Sequence, residues 1–546
     1  MLRRDIIDVA GWAWGQIKGL RHCFFVNCLI GFARVLISLL FVWVCKHIVD
    51  IATQKSDGDI VLWMCVMVAV IISQLAINMY LQRYREKNRL DISNQLRYQL
   101  FGSVMRSRWN GDSSLHSGDT VNRLEEDIKT LCATINETLP SLFIMAFQLI
   151  CASVFLFAMQ AGLLWVLLVI MPVALVVSKI YYRRLRKLNG DIRRLDSDIQ
   201  SHIQENILKR VLILSMVRVE ECMDLLSGLQ GSLSGLSMDR VVCSSRARML
   251  VSLGFMAGYC VTFCWGAFGI VEGTITYGMM TAFLQLVNQV QNPIVNMSRQ
   301  LPQLIQTVTS VERLRELSAL QQESADGQHI MRGPLGIRIE NLCFSYQEAD
   351  GPVIDNLSYD FAPGVSTAII GGTGTGKSTL MRLLLDIIRP QKGRVVVYGG
   401  GEALDMNPSL RCNFQYVPQG NSLISGTVRQ NLLLGNPDAS DGEMQEALRL
   451  ACADFVMSRP EGLDTKCSEQ GVGLSEGQAQ RIAIARALLQ PGRIMLMDEA
   501  CSALDTETER RVLENLKRCC EDRTIIWITH HVAVREYMDR CLVLGL

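Results

Sequence analysis

Hydrophobic and polar positions divide the chain near residue 320. Before it, long apolar stretches are joined by polar segments of helical period; after it, short apolar runs alternate with amphipathic stretches. Cys23–Cys45 is apolar apart from Asn27, Arg34 and Ser38, and is long enough to cross a hydrocarbon layer of ~30 Å. Ile60–Gln82 holds no charge. Thr138–Ser178 is also charge-free, too long for one crossing and broken at Gln160-Ala-Gly162, so it reads as two spans, 138–159 and 163–178. Met249–Val271 and Gly273–Ser298 complete a prediction of six spans. Ile6, Ile7, Ala10, Trp14 and Ile17, flanked by Arg3, Arg4 and Lys18, suit an amphipathic helix on the inner membrane surface; the same stretch fits an ordinary surface helix.

Charge then sets orientation. The segment between spans two and three carries Arg83, Arg85, Lys87, Arg89, Arg97, Arg106, Arg108, Arg123 and Lys129; that between spans four and five carries Lys179, Arg183, Arg184, Arg186, Lys187, Arg193, Arg194, Lys209 and Arg210. The other loops are short and nearly lack basic residues, so the long loops and both termini are expected on the cytoplasmic side. Helical period continues through these loops, which predicts helices extending tens of ångströms beyond the bilayer. A chain of 546 residues needs at least two domains. The net charge of +1 gives no global field for nucleic acid. The 18 cysteines are scattered without CxxC pairs and read as reduced thiols of a cytosol-facing membrane protein. The N-terminus lacks the h-region and cleavage site of a signal peptide.

Two features of the spans suit a transport path. Arg34 lies inside the first span, where an Arg must face a protein interior or a wet cavity, or snorkel to the inner headgroups. In the sixth span Gln285, Asn288, Gln289, Asn292 and Asn296 share one helical face opposite Met279, Ala282, Leu286 and Val290. Such a stripe suits a cavity lining or polar packing between helices.

Ser318–Pro334 is polar and marks the boundary, giving an expected membrane domain over 1–320, a linker over 321–334 and a second domain over 335–546. There Ile337–Glu340 alternates like an edge strand. The chain next reads Ser366-Thr-Ala-Ile-Ile370, then GGTGTGKST over Gly371–Thr379, then an apolar helical stretch over Leu380–Ile388. Strand, glycine-rich turn and helix is the setting a P-loop requires. Gly371, Gly374 and Gly376 let backbone approach a polyphosphate, the helix N-terminus faces it, Lys377 supplies a point charge and Ser378 a hydroxyl for Mg²⁺. Further on, Gln415–Gln419 is a short strand ending in glutamine, Ala479–Leu489 an amphipathic helix, and Ile494–Glu499 a buried-type strand ending in two carboxylates. Thr524–His530 is another such strand, ending in a histidine. Alternating strands and helices predict an α/β domain with a largely parallel sheet, whose ligands bind beyond the carboxyl ends of strands.

These motifs, in this order, resemble the ABC transporter family, and specifically a half-size exporter with its membrane domain first. The resemblance covers nearly the whole chain, including Ser117–Arg123, which is similar to the stretch beside the family's first coupling helix. It implies an all-α six-helix transmembrane domain followed by an α/β P-loop NTPase domain. It also implies these roles. Tyr346 stacks on adenine; Gly371, Gly372, Thr373, Gly374, Thr375, Gly376, Lys377, Ser378 and Thr379 form the phosphate loop; Gln419 touches Mg²⁺ and the attacking water. Glu469 is the acidic X-loop residue. Ser475, Gly477 and Gln478 belong to the signature that caps ATP on the opposite subunit. Asp498 holds Mg²⁺, Glu499 is the general base, Asp505 the D-loop aspartate and His530 the switch histidine. Adjacent Asp498 and Glu499 suit this independently, one at a metal and one at water. The signature departs from the family's usual LSGGQ: Glu476 stands at its first glycine.

The reading is an ATPase driving export of a lipid, drug-like molecule or peptide across the cytoplasmic membrane. The segments near Arg106–Ser117 and Glu205–Ser215 would pass cassette closure to the spans. Its partners are the bilayer, the transported substrate and a second half-transporter chain, identical or related, with no nucleic acid. The alternative is an ATP-gated membrane regulator or channel-like module without uphill transport; the lack of a long regulatory insert disfavours it.

Overall fold

The computed structural model describes residues 21–109, 117–323, 327–346, 351–372, 374–467, 473–529 and 532–544, with Gly11, Trp12, Gly15 and Gly19. The expected interfacial helix Ile6–Ile17 lies outside these for the most part. The chain forms two compact units: Met1–Leu100 with Val121–Glu316, and Phe101–Thr120 with Leu317–Leu546.

The first unit is helical. Its elements are α1 (Arg21–Ala52), α2 (Ile60–Met105), α3 (Gly118–Met159), α4 (Ala161–Leu208), α5 (Arg210–Ser215), α6 (Val219–Val271) and α7 (Tyr277–Ser318). Among the described residues four helices, α1, α2, α3 and α6, are long and apolar enough to cross a membrane. Helix α3 contains π turns at Arg123–Asp127 and Thr134–Thr138, and Gln160, at φ −160°, separates it from α4. The outer faces show Leu29, Leu36, Val61, Leu62, Ile72, Leu75, Val154 and Phe157, as a lipid-facing surface should. Inside, Val42, Ala152, Leu156, Leu163, Phe283, Leu286 and Val287 close a small core. Asp50 accepts from the buried Gly278 N–H at 3.1 Å and pairs with Lys46 at 3.2 Å, which clasps α1 to α7.

The second unit is layered. A four-stranded antiparallel sheet has the order β2-β1-β4-β5, from β1 (Leu335–Phe344), β2 (Ile354–Phe361), β4 (Lys392–Gly399) and β5 (Glu402–Asp405). A five-stranded parallel sheet has the order β9-β3-β8-β7-β6, from β3 (Ser366–Gly371), β6 (Phe414–Val417), β7 (Ile494–Asp498), β8 (Thr524–Ile528) and β9 (Arg540–Leu544). β7 and β8 are buried at every position, which explains their unbroken apolar runs. Helix α8 (Lys377–Leu384) follows β3, and α9 (Val428–Leu433), α10 (Asp441–Leu450), α11 (Glu476–Leu488) and α12 (Thr506–Cys519) complete the unit. β1 is not an edge strand: it pairs with β2 on one side and β4 on the other. Its alternation records which face is buried, with Ile337 and Ile339 in the core, and says nothing of which edges are paired.

Segment 101–109 belongs to this second unit. Arg108 N donates to Gln321 O at 2.8 Å and Glu323 N to Arg106 O at 2.9 Å. Arg108 Nη2 reaches Asp386 Oδ2 at 3.1 Å with both side chains buried, and Arg382 stacks over the Trp109 ring. Arg411 forks onto Glu323 at 2.6 and 2.8 Å and donates to the carbonyls of Leu385 and Asp386.

Candidate active site

The glycine turn between β3 and α8 is shaped by its sequence. Gly376 sits at φ +87° as the N-cap of α8, and a Cβ there would meet the Val353 side chain at 2.8 Å. Lys377 is buried, yet its ammonium is satisfied: Nζ donates to Gly371 O at 2.9 Å and Gly372 O at 2.8 Å. The lysine thus lies folded across the mouth of the loop. Thr375 Oγ1 donates to Gly372 O at 3.0 Å. Thr373 lies outside the described residues.

The carboxyl ends of β6 and β7 face this loop's helix. Ser378 Oγ donates to Asp498 Oδ1 at 3.3 Å. Asp498 is 2% exposed, and burial pushes its carboxyl above the usual range, with Ser378 opposing. At Glu499 the backbone turns left-handed, φ +50°, and its N–H donates to Ile528 O at 3.1 Å. That turn carries the half-buried carboxylate out of the sheet to Gln419, whose Nε2 donates to Oε2 at 2.6 Å. A hydroxyl, a buried carboxylate and a carboxamide form an all-oxygen donor set that suits a hard divalent cation. The charge of Asp498, held out of water, is what such a cation would neutralise.

Tyr346 is half-buried, its hydroxyl 3.2 Å from Thr379 Oγ1 and accepting from Arg382 at 3.1 Å. Ser475 caps α11 in a capping box with Gln478. Glu476 is exposed in the first turn, where a carboxylate favours the helix dipole, so this departure fits the fold. Gly477 is buried, and a Cβ there would lie 2.6 Å from Ala503 O. Gln480 fixes the same contact, donating to Ser502 Oγ and accepting from Ala503 N, both at 3.1 Å. Asp505 caps α12 through Thr508 N at 3.0 Å, and that bond holds its carboxyl below the usual range. Glu469 and His530 lie outside the described residues.

In the helical unit the polar stripe divides. Gln285 lies near the Cys45 thiol, and Gln289 donates to Ser38 Oγ at 3.1 Å, so both face α1. Asn288, Asn292 and Asn296 are exposed, and Arg34 is half-buried. Sequence reasoning missed Arg108, Asp386, Arg411 and Glu323, which no local pattern joins. It also missed Gln480, whose position inside an amphipathic helix gave no signal.

Two family descriptions match the chain: ABC transporter over residues 354–502 and ABC transporter transmembrane region over residues 24–294. The chain belongs to the ABC transporter family. This ABC transporter is therefore an ATPase whose helical transmembrane domain precedes its nucleotide-binding domain. It is 26% identical over 540 residues to a protein of Bacillus subtilis (strain 168) named for multidrug export as an ATP-binding/permease protein, covering 97% of this chain and 93% of that one. It is 36% identical over 281 residues to the alpha-hemolysin translocation ATP-binding protein of Escherichia coli O157:H7, covering 51% of this chain and only 40% of that longer one. A solved bacterial Atm1-family ABC exporter with ATP bound has the same fold, with a TM-score of 0.81 at 22% identity over 96% of this chain and 94% of that one.

Proposed function

We propose that this chain exports its substrate across the cytoplasmic membrane by ATP-driven alternating access, as one half of a dimer. The observation that carries the reading is the placement of Glu499 beyond β7, bonded to Gln419 and adjacent to the Asp498–Ser378 pair. Lys377 would leave the loop carbonyls for the β- and γ-phosphates of ATP. Ser378, Asp498 and Gln419 would hold Mg²⁺, which neutralises phosphate charge when bound. Glu499, oriented by Gln419, would take the proton of the attacking water. Tyr346 would stack on adenine. Ser475, Gly477 and Gln478 would cap ATP on the other subunit, and Asp505 and His530 would complete the site. The domain division is read as 1–320, 321–334 and 335–546, with segment 101–109 hydrogen-bonded within the nucleotide-binding unit.

Two features support a dimer. The signature turn is exposed at Ser475 and Glu476, open to a second chain. The segment through α5 is a tip of exposed apolar residues, with Leu208 77%, Val211 81% and Val217 87% exposed, far more than a solvated cytoplasmic loop sustains. The relatives' names, for multidrug export and for alpha-hemolysin translocation, support a substrate among lipids, drug-like molecules and peptides.

The test is ATPase activity and transport by the chain purified alone in sealed vesicles. Glu499→Gln should lower ATP turnover at least about 100-fold and abolish accumulation against a gradient. Equal transport by the variant would refute the reading. Activity of the wild type alone identifies a homodimer; inactivity identifies a need for a related chain.

A further inference from the structure

The six apolar stretches of the N-terminal half hold one charged residue, Arg34, and no Asp or Glu. A guanidinium at that depth needs a counter-charge or a wet, inward-facing site. On α1 a period of 3.6 puts Asn27, Arg34, Ser38 and Cys45 on one face. The partners of the other three show where that face points. Asn27 Nδ2 donates to Asn136 O at 2.6 Å, Ser38 accepts from Gln289, and Cys45 meets Gln285. Arg34 is therefore turned into the bundle, between positions whose polar groups are already engaged.

Arg34 itself is half-buried and donates no hydrogen bond to, and forms no ion pair with, the described residues. Arg34 and Arg85, of like sign, act on each other. Arg85 is fixed in place by a closed ring across α1, α2 and α3. Its Nε donates to Asn27 Oδ1 at 2.9 Å, and Asn136 Nδ2 donates back to Arg85 O at 2.5 Å. This ring positions the guanidinium with neutral groups and leaves its charge in place. Glu137, the acid nearest to Arg85 in effect, is exposed and forms no ion pair with either arginine. Snorkelling of Arg34 toward the inner surface is opposed, because Arg85 holds the level of Asn27, seven residues or about 10 Å along α1. Two guanidiniums that act on each other, neither ion-paired among the described residues, form a site for an anion.

We infer that Arg34, backed by Arg85, binds the anionic headgroup of an amphiphile inside the membrane domain, and that the exported substrate belongs to that class. The second half of this statement rests on the export reading; the first does not. The phosphate or carboxylate of such a headgroup would take the donors of both guanidiniums, and its chain would lie among the apolar side chains of the spans.

The test is equilibrium binding of radiolabelled dodecyl phosphate to the full chain in phosphatidylcholine nanodiscs, without ATP. Dodecyl maltoside, of the same chain length but uncharged, serves as competitor. Dodecyl phosphate should bind and dodecyl maltoside should fail to displace it. Arg34→Gln should weaken binding about tenfold or more, and Arg34→Lys, which keeps the charge and loses the fork, about threefold. Arg240→Gln, on an exposed cytoplasmic stretch of α6, should bind as the wild type does. Equal competition by the maltoside, or unchanged binding in both Arg34 variants, overturns the site. Should Arg34→Gln fail to fold, Arg34→Lys and the two probes on the wild type still decide. Replacing one-tenth of the lipid with phosphatidylglycerol should not displace the probe; displacement would assign the site to bilayer lipid and overturn the substrate half. Because ATP is absent, failure of the transport reading leaves this result readable.

Discussion

Removing Arg108 should destabilise the nucleotide-binding unit, and the loss should depend on pH. Arg108 Nη2 and Asp386 Oδ2 lie 3.1 Å apart with each side chain 7% exposed. At an effective dielectric near 20, that separation is worth about 5 kcal/mol of attraction. Burial nevertheless wins at Asp386: its carboxyl is pushed above the usual range, with Arg108, Arg389 and Arg411 opposing. A raised folded-state pKa means that ionisation costs stability as pH rises through it. The two partners are therefore unequal. Arg108→Met leaves a buried carboxylate without its main counter-charge and should cost about 3 kcal/mol at pH 8. The same change raises the Asp386 pKa further, so the cost should be smaller at pH 4.5, where the group binds more proton, than at pH 8. Asp386→Asn removes the desolvated carboxylate, leaves an amide oxygen that still accepts from Arg108, keeps a residue tolerant of φ +48°, and should cost less than Arg108→Met at pH 8. Buried Cys501, in the core of the same unit, reports unfolding. The assay equilibrates the full chain in urea at each pH, applies a brief thiol-labelling pulse and reads Cys501 by mass spectrometry. Equal losses at the two pH values, or a larger loss in Asp386→Asn than in Arg108→Met, would refute the reasoning.

Gly477→Ala should lower ATPase activity and destabilise the unit by about 1–3 kcal/mol, because its methyl would press on the Ala503 carbonyl; urea midpoints and turnover check both. Gly278→Ala should separate α1 from α7 at their outer ends, since its Cβ would collide with Lys46 O and the Asp50 carboxylate, and should show as a lower melting temperature in detergent. Cys519 is exposed, and the hydrogen bond from the Cys520 thiol holds its own thiol down to about 7. Its maleimide labelling should therefore level off near pH 8, while buried Cys520, pushed upward by the same bond, stays unlabelled; mass spectrometry distinguishes the two.

Elements governed by local period and motif were legible in the sequence. Gly371–Ser378, the all-apolar strands β7 and β8 and the carboxylates at the end of β7 follow from residues adjacent in the chain, whose spacing carries the signal. Pairing partners were not legible. β1 looked like an edge strand because alternation reports a buried face, and its second neighbour, β4, lies some 50 residues away in sequence. The sixth-span stripe shares one face by period, but helical period cannot say which neighbour covers which part. Ser38 and Cys45 take the glutamines, and the asparagines are left exposed. The Arg108–Asp386 pair joins residues 278 positions apart and had no signal at all. At Glu499 the sequence named the residue, while its left-handed backbone, which aims the carboxylate at Gln419, depends on the β8 carbonyl that receives its N–H.

The contact between Gly477 and Ala503 has a mechanical meaning. Gln480 ties the first turn of α11 to the peptide of residues 502–503, and Glu499 stands three residues before that peptide. The turn at 499–505 between them is pinned by the Ser502 N–H on Glu499 O and the Leu504 N–H on Cys501 O, so a small displacement at the end of β7 is passed to the signature turn. In a two-chain assembly the turn touching one nucleotide and the carboxylate that activates water at the other would belong to a single stiff lever. Such a lever makes timing a property of the pair: neither site could finish its turnover without shifting the footing of its neighbour.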